Sequence, residues 1–197
     1  LCWGYNGFGQ TNVPTTLSNP TQVTAGRYNT CALDDSGVVC WGRDDHGQSS
    51  VPTTLSNPMQ VTASGIHTCA LDDNGVVCWG YNHSGQTNVP TTLINPMQVA
   101  AGREHTCALD DSGVVCWGYN NHGETNVPTT LNNPMQVTAG IYHTCALDDS
   151  GVVCWGYNDH GQINVPTTLN NPNQVIAGDY HTCALDESGV VCWGSNS

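Results

Sequence analysis

Apolar residues fall along this chain in short, dense bursts separated by polar turns. Within the first full unit the bursts are Gln22–Ala25, Thr30–Asp34 and Val38–Gly42, with a weaker one at Gln48–Val51. They are four to five residues long and rich in β-branched and aromatic side chains. Gly, Pro, Asn and Asp punctuate them. No stretch keeps a 3.6-residue period over a useful length, so helices are not expected. The pattern predicts four short strands per unit, here called A, B, C and D, and an all-β chain.

The same text returns every 38 residues. Cys-Trp-Gly begins at Cys2, Cys40, Cys78, Cys116, Cys154 and Cys192, and the wording between these points is almost copied. A fixed period of this size marks a repeat architecture. The chain reads as a single array over 1–197, with units near 2–39, 40–77, 78–115, 116–153 and 154–191 and a partial unit at 192–197. No low-complexity linker interrupts it.

Strands B and C join through Asp34-Asp35-Ser36-Gly37, a tight turn of residues that suit hairpin corners. If Asp34 faces Gly37, then Leu33 faces Val38 and Cys31 faces Cys40. Opposed residues of an antiparallel pair lie within disulfide reach. The spacing predicts five bridges: Cys31–Cys40, Cys69–Cys78, Cys107–Cys116, Cys145–Cys154 and Cys183–Cys192, leaving Cys2 unpaired within the chain. Each would close a loop of ~10 residues, worth roughly 2–3 kcal/mol in the chain-entropy model.

This register also sorts side chains by face. Cys31, Leu33, Val38 and Cys40 point one way; Ala32, Val39 and Trp41 point the other. Both faces are apolar, so both need cover, and the next copy of the same sheet is the cover available. Sheets stacked at a fixed repeat give a propeller or a solenoid, and four strands per unit favour a β-propeller blade.

The repeated wording Val-Thr-Ala-Gly-x-x-His-Thr-Cys-Ala-Leu-Asp-Asp-Ser-Gly-Val-Val-Cys-Trp-Gly-x-Asn-x-x-Gly-Gln resembles the repeat of the regulator of chromosome condensation family. Its length is closer to the family's bacterial secreted branch, which includes a propeller-type β-lactamase inhibitor protein. The resemblance covers essentially the whole chain and implies a β-propeller, typically seven-bladed. This sequence departs from the pattern in its cysteine pair per repeat and its five full units. Function is implied only weakly, because propellers host many functions.

Counting Cys2-Trp3-Gly4 as a strand gives six C strands against five each of A, B and D. Two readings stay open: a piece of a longer ring, or a subunit whose surplus half-blade meets another chain in a heterologous assembly. The sequence opens inside a repeat, which leaves room for an upstream leader.

Charge narrows the partners. There is no Lys; Arg27, Arg43 and Arg103 stand against 16 acidic residues, for a formal charge of −13. A nucleic-acid binder needs a basic surface, and the same charge disfavours anionic membranes. No apolar run approaches a membrane span. Eleven Cys with pairing spacing point to an oxidising compartment, hence to a secreted or cell-surface protein. The triplet Asn82-His83-Ser84 matches a glycosylation acceptor once.

Comparison among the copies separates shared demands from specialisation. Residues present in every copy serve the blade; those that differ are free to do something else. Two zones vary, the A–B turn and the C–D loop, and in a meander both emerge on one side. This face should collect Tyr, Arg and His, types favoured at interface hot spots. The candidate binding residues are Arg27, Tyr28, Arg43, Asp44, Tyr81, Arg103, Glu104, Tyr119, Tyr142, Tyr157, Asp179 and Tyr180. The recurring His67, His105, His143 and His181 are expected to bond blade to blade. The Asp-Asp turns (Asp34 and Asp35 in the first unit) should form an acidic rim at the other end.

No metal site is expected: the Asp-x-Asx-x-Asx-Gly calcium loop is missing, and Cys-x8-Cys is not zinc spacing. No nucleophile elbow, phosphate loop or zinc-hydrolase helix appears, and no cofactor is implied. The expectation is a non-enzymatic extracellular module that binds a protein or glycan. The alternatives are a structural subunit of a fibre or surface assembly and an inhibitor of a secreted enzyme.

Overall fold

A computed structural model of the chain describes residues 1–196. It groups into two compact units, Leu1–Val89 and Pro90–Ser197. The first holds two three-stranded sheets: β1 (Gln22–Ala25), β2 (Asn29–Asp34) and β3 (Gly37–Gly42), then β4 (Gln60–Ala63), β5 (His67–Asp72) and β6 (Gly75–Gly80). The second holds three such sheets. They are β7 (Gln98–Ala101), β8 (His105–Asp110) and β9 (Gly113–Gly118); β10 (Gln136–Ala139), β11 (His143–Asp148) and β12 (Gly151–Gly156); and β13 (Gln174–Ala177), β14 (His181–Asp186) and β15 (Gly189–Gly194). All pairs are antiparallel meanders.

The hairpin register is the expected one. Leu33 pairs with Val38 and Cys31 with Cys40, and the other four hairpins repeat this. All five expected disulfides form, with Cα atoms 4.0 Å apart in the first. Cys2 is the free cysteine among the described residues.

Among the described residues the five expected D strands and the sixth C strand are not there. The D segment at Gln48–Val51 lies in successive turns instead. Its backbone is captured locally: Asp44 Oδ1 accepts from Ser49 N at 2.7 Å, and the Gly47 carbonyl accepts from Ser50 N at 3.1 Å. Side chains that bond nearby backbone compete with a ladder, and Pro52 brings no N–H to donate. The blades are therefore three-stranded. The opening Cys2-Trp3-Gly4 is also not a strand, and Trp3 is 87% exposed. A strand C forms by pairing with a strand B, and no strand among the described residues pairs with this segment. Among the described residues the strands number five A, five B and five C.

Neighbouring copies cover each other within each unit. In the first, Cys31, Leu33, Val38 and Cys40 pack on Val61 and Ala63 of β4. In the second, Cys107 and Leu109 pack on Val137, and Cys145 and Leu147 on Val175. Position decides burial: Val61 is 1% exposed, whereas the equivalent Val23 is 65% exposed. The joints are also tied by polar side chains that imitate a strand. Gln22 Oε1 accepts from Val61 N at 2.9 Å while its Nε2 donates to Val61 O at 3.1 Å. Gln98 and Gln136 receive Val137 N and Val175 N in the same way.

The other face of four of the hairpins is anchored to the loop before it. Thr30 Oγ1 and Trp41 Nε1 both donate to the carbonyl of Gln10, each at 2.9 Å. Gln48, Glu124 and Gln162 supply the same doubly used carbonyl to Thr68 and Trp79, Thr144 and Trp155, and Thr182 and Trp193. This explains why Thr, Trp and the Gly-Gln-type loop recur together.

Candidate functional site

Beyond each hairpin, the residue after Trp-Gly continues the pairing for one more bond. Arg43 N donates to Tyr28 O at 2.8 Å, Tyr81 N to Ile66 O at 2.9 Å, and Tyr119 N, Tyr157 N and Ser195 N to Glu104, Tyr142 and Tyr180 at 2.8 Å. That single bond lays the start of every C–D loop against its A–B turn. The two variable zones therefore meet within each blade, as expected.

In the first unit the meeting point is a concavity of about 510 Å³ lined by Tyr5, Phe8, Arg27, Tyr28 and Arg43. Phe8 and Tyr28 meet edge to face with centroids 5.2 Å apart, and Tyr5 stands 6.4 Å from both. The Arg27 guanidinium lies 5.2 Å from the Tyr28 centroid; that of Arg43 lies 5.6 Å from Tyr28 and 5.3 Å from Phe8. Such contacts are worth ~0.5–1 kcal/mol at exposed sites. Asp44 does not face the concavity: its Oδ1 holds Ser49 N and its Oδ2 holds the Ser50 hydroxyl. Tyr81 sits apart, stacked near His46 and His83.

In the second unit the rings form a continuous run. Tyr119, His122, Tyr142, Tyr157, His160 and Tyr180 follow each other at centroid distances of 4.9–6.5 Å. Arg103 braces the run at its middle ring, donating from Nη1 to the Tyr142 hydroxyl at 3.0 Å and standing 3.8 Å from Glu104. Desolvation, only partly opposed by Arg103, raises the Tyr142 pKa above the ordinary phenol value. Tyr157 is raised as well, because its hydroxyl donates to Asp159 at 2.8 Å. Both phenols are neutral donors at physiological pH. Asp179 is exposed beside Tyr180.

Three histidines do not belong to this face. His67, His105 and His143 are fully buried. His105 Nε2 and His143 Nε2 each lie 2.9 Å from the Thr hydroxyl of the next blade, Thr144 and Thr182. Those hydroxyls spend their one proton on the carbonyls of Glu124 and Gln162, so the histidines are the donors. The expected blade-to-blade bond is therefore present at both. His181, by contrast, is exposed.

The acidic rim is half of what the sequence suggested. The first acid of each turn is buried: Asp34, Asp72, Asp110, Asp148 and Asp186 are at most 8% exposed. Each clamps two loops. Asp34 accepts from Ser18 N and Ser36 N at 2.8 Å, and bonding with Ser36 above all holds its pKa below the ordinary carboxylate value. Only the second acids, such as Asp35 and Asp73, face solvent, where Asn19 and Asn57 bond them. Among the described residues no three metal-ligating side chains converge.

Sequence reasoning passed over the loop position Gln10, Gln48, Gln86, Glu124 and Gln162. All five are buried, and its recurrence after Gly in every copy was the available signal. Glu124 alone brings a carboxylate there. Its Oε2 accepts from His122 N at 2.8 Å, but its Oε1 has no hydrogen-bond partner among the described residues. A buried acceptor left unmet costs roughly 1–3 kcal/mol, more if charged. Gln48 and Gln162, at the same place in other copies, leave their Nε2 equally without a partner among the described residues. Glu124→Gln is therefore expected to exchange one unmet atom for another and to change the stability of the second unit by less than about 1 kcal/mol. Urea denaturation checks this; a larger shift of the midpoint in either direction would contradict it.

Comparison with known proteins agrees with this construction. No curated protein sequence matches the chain significantly. Among solved structures, the Arabidopsis thaliana ectodomain of the receptor kinase ACR4 matches with TM-score 0.81 and 27% identity, over 98% of this chain and 75% of that one. The Physcomitrella patens ectodomain of the receptor kinase CR4 matches at 0.80 and 25%, over 98% and 55%. Yeast RCC1 (Prp20), in a structure bound to Kap60, matches at 0.76 and 22%, over 90% and 56%. The chain thus spans about half the length of two of these propeller proteins and three quarters of the third. A family model for the regulator of chromosome condensation (RCC1) repeat matches residues 21–48, 60–86, 98–124, 136–162 and 174–197. With five matches placed one per blade, the chain belongs to the regulator of chromosome condensation (RCC1) repeat family.

Proposed function

We propose that this chain is a non-catalytic extracellular module that captures a protein partner through its A–B and C–D loops. The observation that carries this reading is the run of Tyr and His rings in the second unit, which brings six aromatic side chains and Arg103 from the loops of three successive blades together. Tyr and Arg concentrate at hot spots because they combine contact area with polar reach. Their mutual packing fixes the rings before a partner arrives, which lowers the ordering cost of binding.

Two further findings support the setting. Five disulfides call for an oxidising compartment. Two of the matched structures, at 25% and 27% identity, are receptor ectodomains. The matched yeast protein is itself recorded bound to Kap60 and with binding properties to Gsp1p and histones, so a protein partner is in keeping with the fold.

Tyr142→Ala and Tyr180→Ala are each expected to weaken capture by roughly tenfold or more. The circular dichroism spectrum should stay unchanged. Asp111→Ala and Asp149→Ala, on exposed turns at the other end of the blades, should bind as the parent does. Equilibrium binding to the protein purified from the extracellular fraction decides. Tyrosine variants that bind as well as the parent would remove the proposal.

A further inference from the structure

The concavity of the first unit joins three recurring residues, Tyr5, Arg27 and Tyr28, to two that no other copy carries. Position 8 is Phe where the other four copies have His46, Ser84, His122 and His160, and it is the only Phe in the chain. Position 43 is Arg where the other five residues that follow Trp-Gly are Tyr5, Tyr81, Tyr119, Tyr157 and Ser195. Two of the three cations of a chain with formal charge −13 meet there. Even Gly7 is particular to this loop. A Cβ at Gly7 would collide with the Tyr5 ring, so a glycine is what lets that ring fold over the backbone.

In an array whose copies are otherwise nearly identical, divergence gathered at one concavity marks a specialised demand. We infer that this concavity, framed by Tyr5, Phe8, Arg27, Tyr28 and Arg43, is a binding site for a carboxylated saccharide of the uronic-acid type. The inference rests on reading the loop face as a binding surface.

The chemistry matches in two parts. Exposed aromatic rings present flat apolar faces suited to the C–H faces of a pyranose; Tyr5 is 67% and Phe8 42% exposed. Its volume of about 510 Å³ lies within the range of small-molecule sites. The guanidiniums then select the anion. Arg43 already shows the mode, donating from Nε to the Asp45 carboxylate at 2.7 Å. Arg27 is exposed, held by the Tyr28 ring, and has no carboxylate partner among the described residues. A ligand carboxylate accepting from Arg27 would complete a charge-assisted bond that the protein leaves open, and Arg43 adds a second positive charge to the same concavity.

Isothermal titration calorimetry of the whole chain tests this with three hexasaccharides: galacturonic acid, neutral glucose and a sulfated glycan. The galacturonic acid hexamer should bind, and more weakly as salt rises, because the contact is exposed and ionic. Arg27→Gln and Arg43→Gln should each weaken it about tenfold, since one bond to a charged group is lost. Tyr28→Ala should abolish binding, and Asp149→Ala, on an exposed turn of the other unit, should leave it unchanged. Equal binding of the neutral hexamer, stronger binding of the sulfated one, no binding at all, or arginine variants that bind as the parent does would each overturn the assignment. If the tyrosine dependence of protein capture in the second unit survives such a result, only this ligand assignment falls. If that dependence fails while uronate binding holds, the saccharide site stands and the protein-capture reading falls.

Discussion

Trp155→Ala is expected to destabilise the second unit by about 3–5 kcal/mol, the usual loss for a buried tryptophan. Trp3→Ala, in the same Cys-Trp-Gly triplet, should cost no more than about 0.5 kcal/mol. The difference is environmental. Trp155 is 6% exposed, and its Nε1 donates to the Glu124 carbonyl at 2.9 Å, where Thr144 also donates. Removing the indole empties a packed volume and takes away one of the two clasps on that loop. Trp3 is 87% exposed and lies outside any strand, so it has little to lose. Urea denaturation followed by circular dichroism measures both. Similar losses at the two positions would show that the triplet, and not its packing, carries the stability.

Acid should weaken the second unit between about pH 6.5 and pH 4, before most carboxylates titrate. His143 is the source. Burial, assisted by the neighbouring His181, holds its pKa down to about 4. Its Nε2–H is committed to Thr182, and its Nδ1 has no partner among the described residues. A proton at Nδ1 would therefore be a charge with nothing to receive it. Below its ordinary pKa the unfolded imidazole takes a proton that the folded one refuses, so the unfolded state binds more protons and stability falls with falling pH. The full effect is about 3 kcal/mol, reached near pH 4 and absent above about pH 7. Asp110 acts in a separate window. Despite its burial, bonds from Ser112 and the Ile94 and Ser112 amides lower its pKa, so its contribution is kept above about pH 4 and lost only below.

The control is already in the sequence. Asn29 holds the place of His143 in the first blade, and its Nδ2 reaches the Thr68 hydroxyl at 3.4 Å. His143→Asn should keep a bond across the joint and flatten the profile over this range. Denaturation midpoints at half-unit pH steps test the pair. A parent profile that is flat from pH 7 to 4, or an Asn variant as acid-sensitive as the parent, would contradict the account.

Much of the blade was legible from residue order. An Asp-Asp-Ser-Gly corner sets the register, so Cys31 had to face Cys40, and a period of two sorted Leu33 from Ala32. The two variable zones were identifiable because copies within one chain serve as their own alignment. Strand D was misread because Gln48–Val51 looks extended as a string; only the folded loop shows Asp44 and the Gly47 carbonyl bonding its amides. The acidic rim failed for a related reason. Asp34 and Asp35 are identical as letters, but the hairpin turns one carboxylate inward onto Ser18 N and leaves the other in water.

Sequence by itself determined the strand register, the five sulfur bridges and the apolar character of both sheet faces, since all of these follow from local spacing and turn chemistry. Tertiary structure decided everything that depends on what lies across a joint or a loop. It chose which valine is buried and which of two like acids is clamped, and it gave His143 a single protonation state. It also brought Phe8, Arg27 and Arg43 to one concavity. The physical reason is that burial and electrostatics are properties of neighbourhoods, and residues some 20 to 40 positions apart become neighbours only when the copies stack.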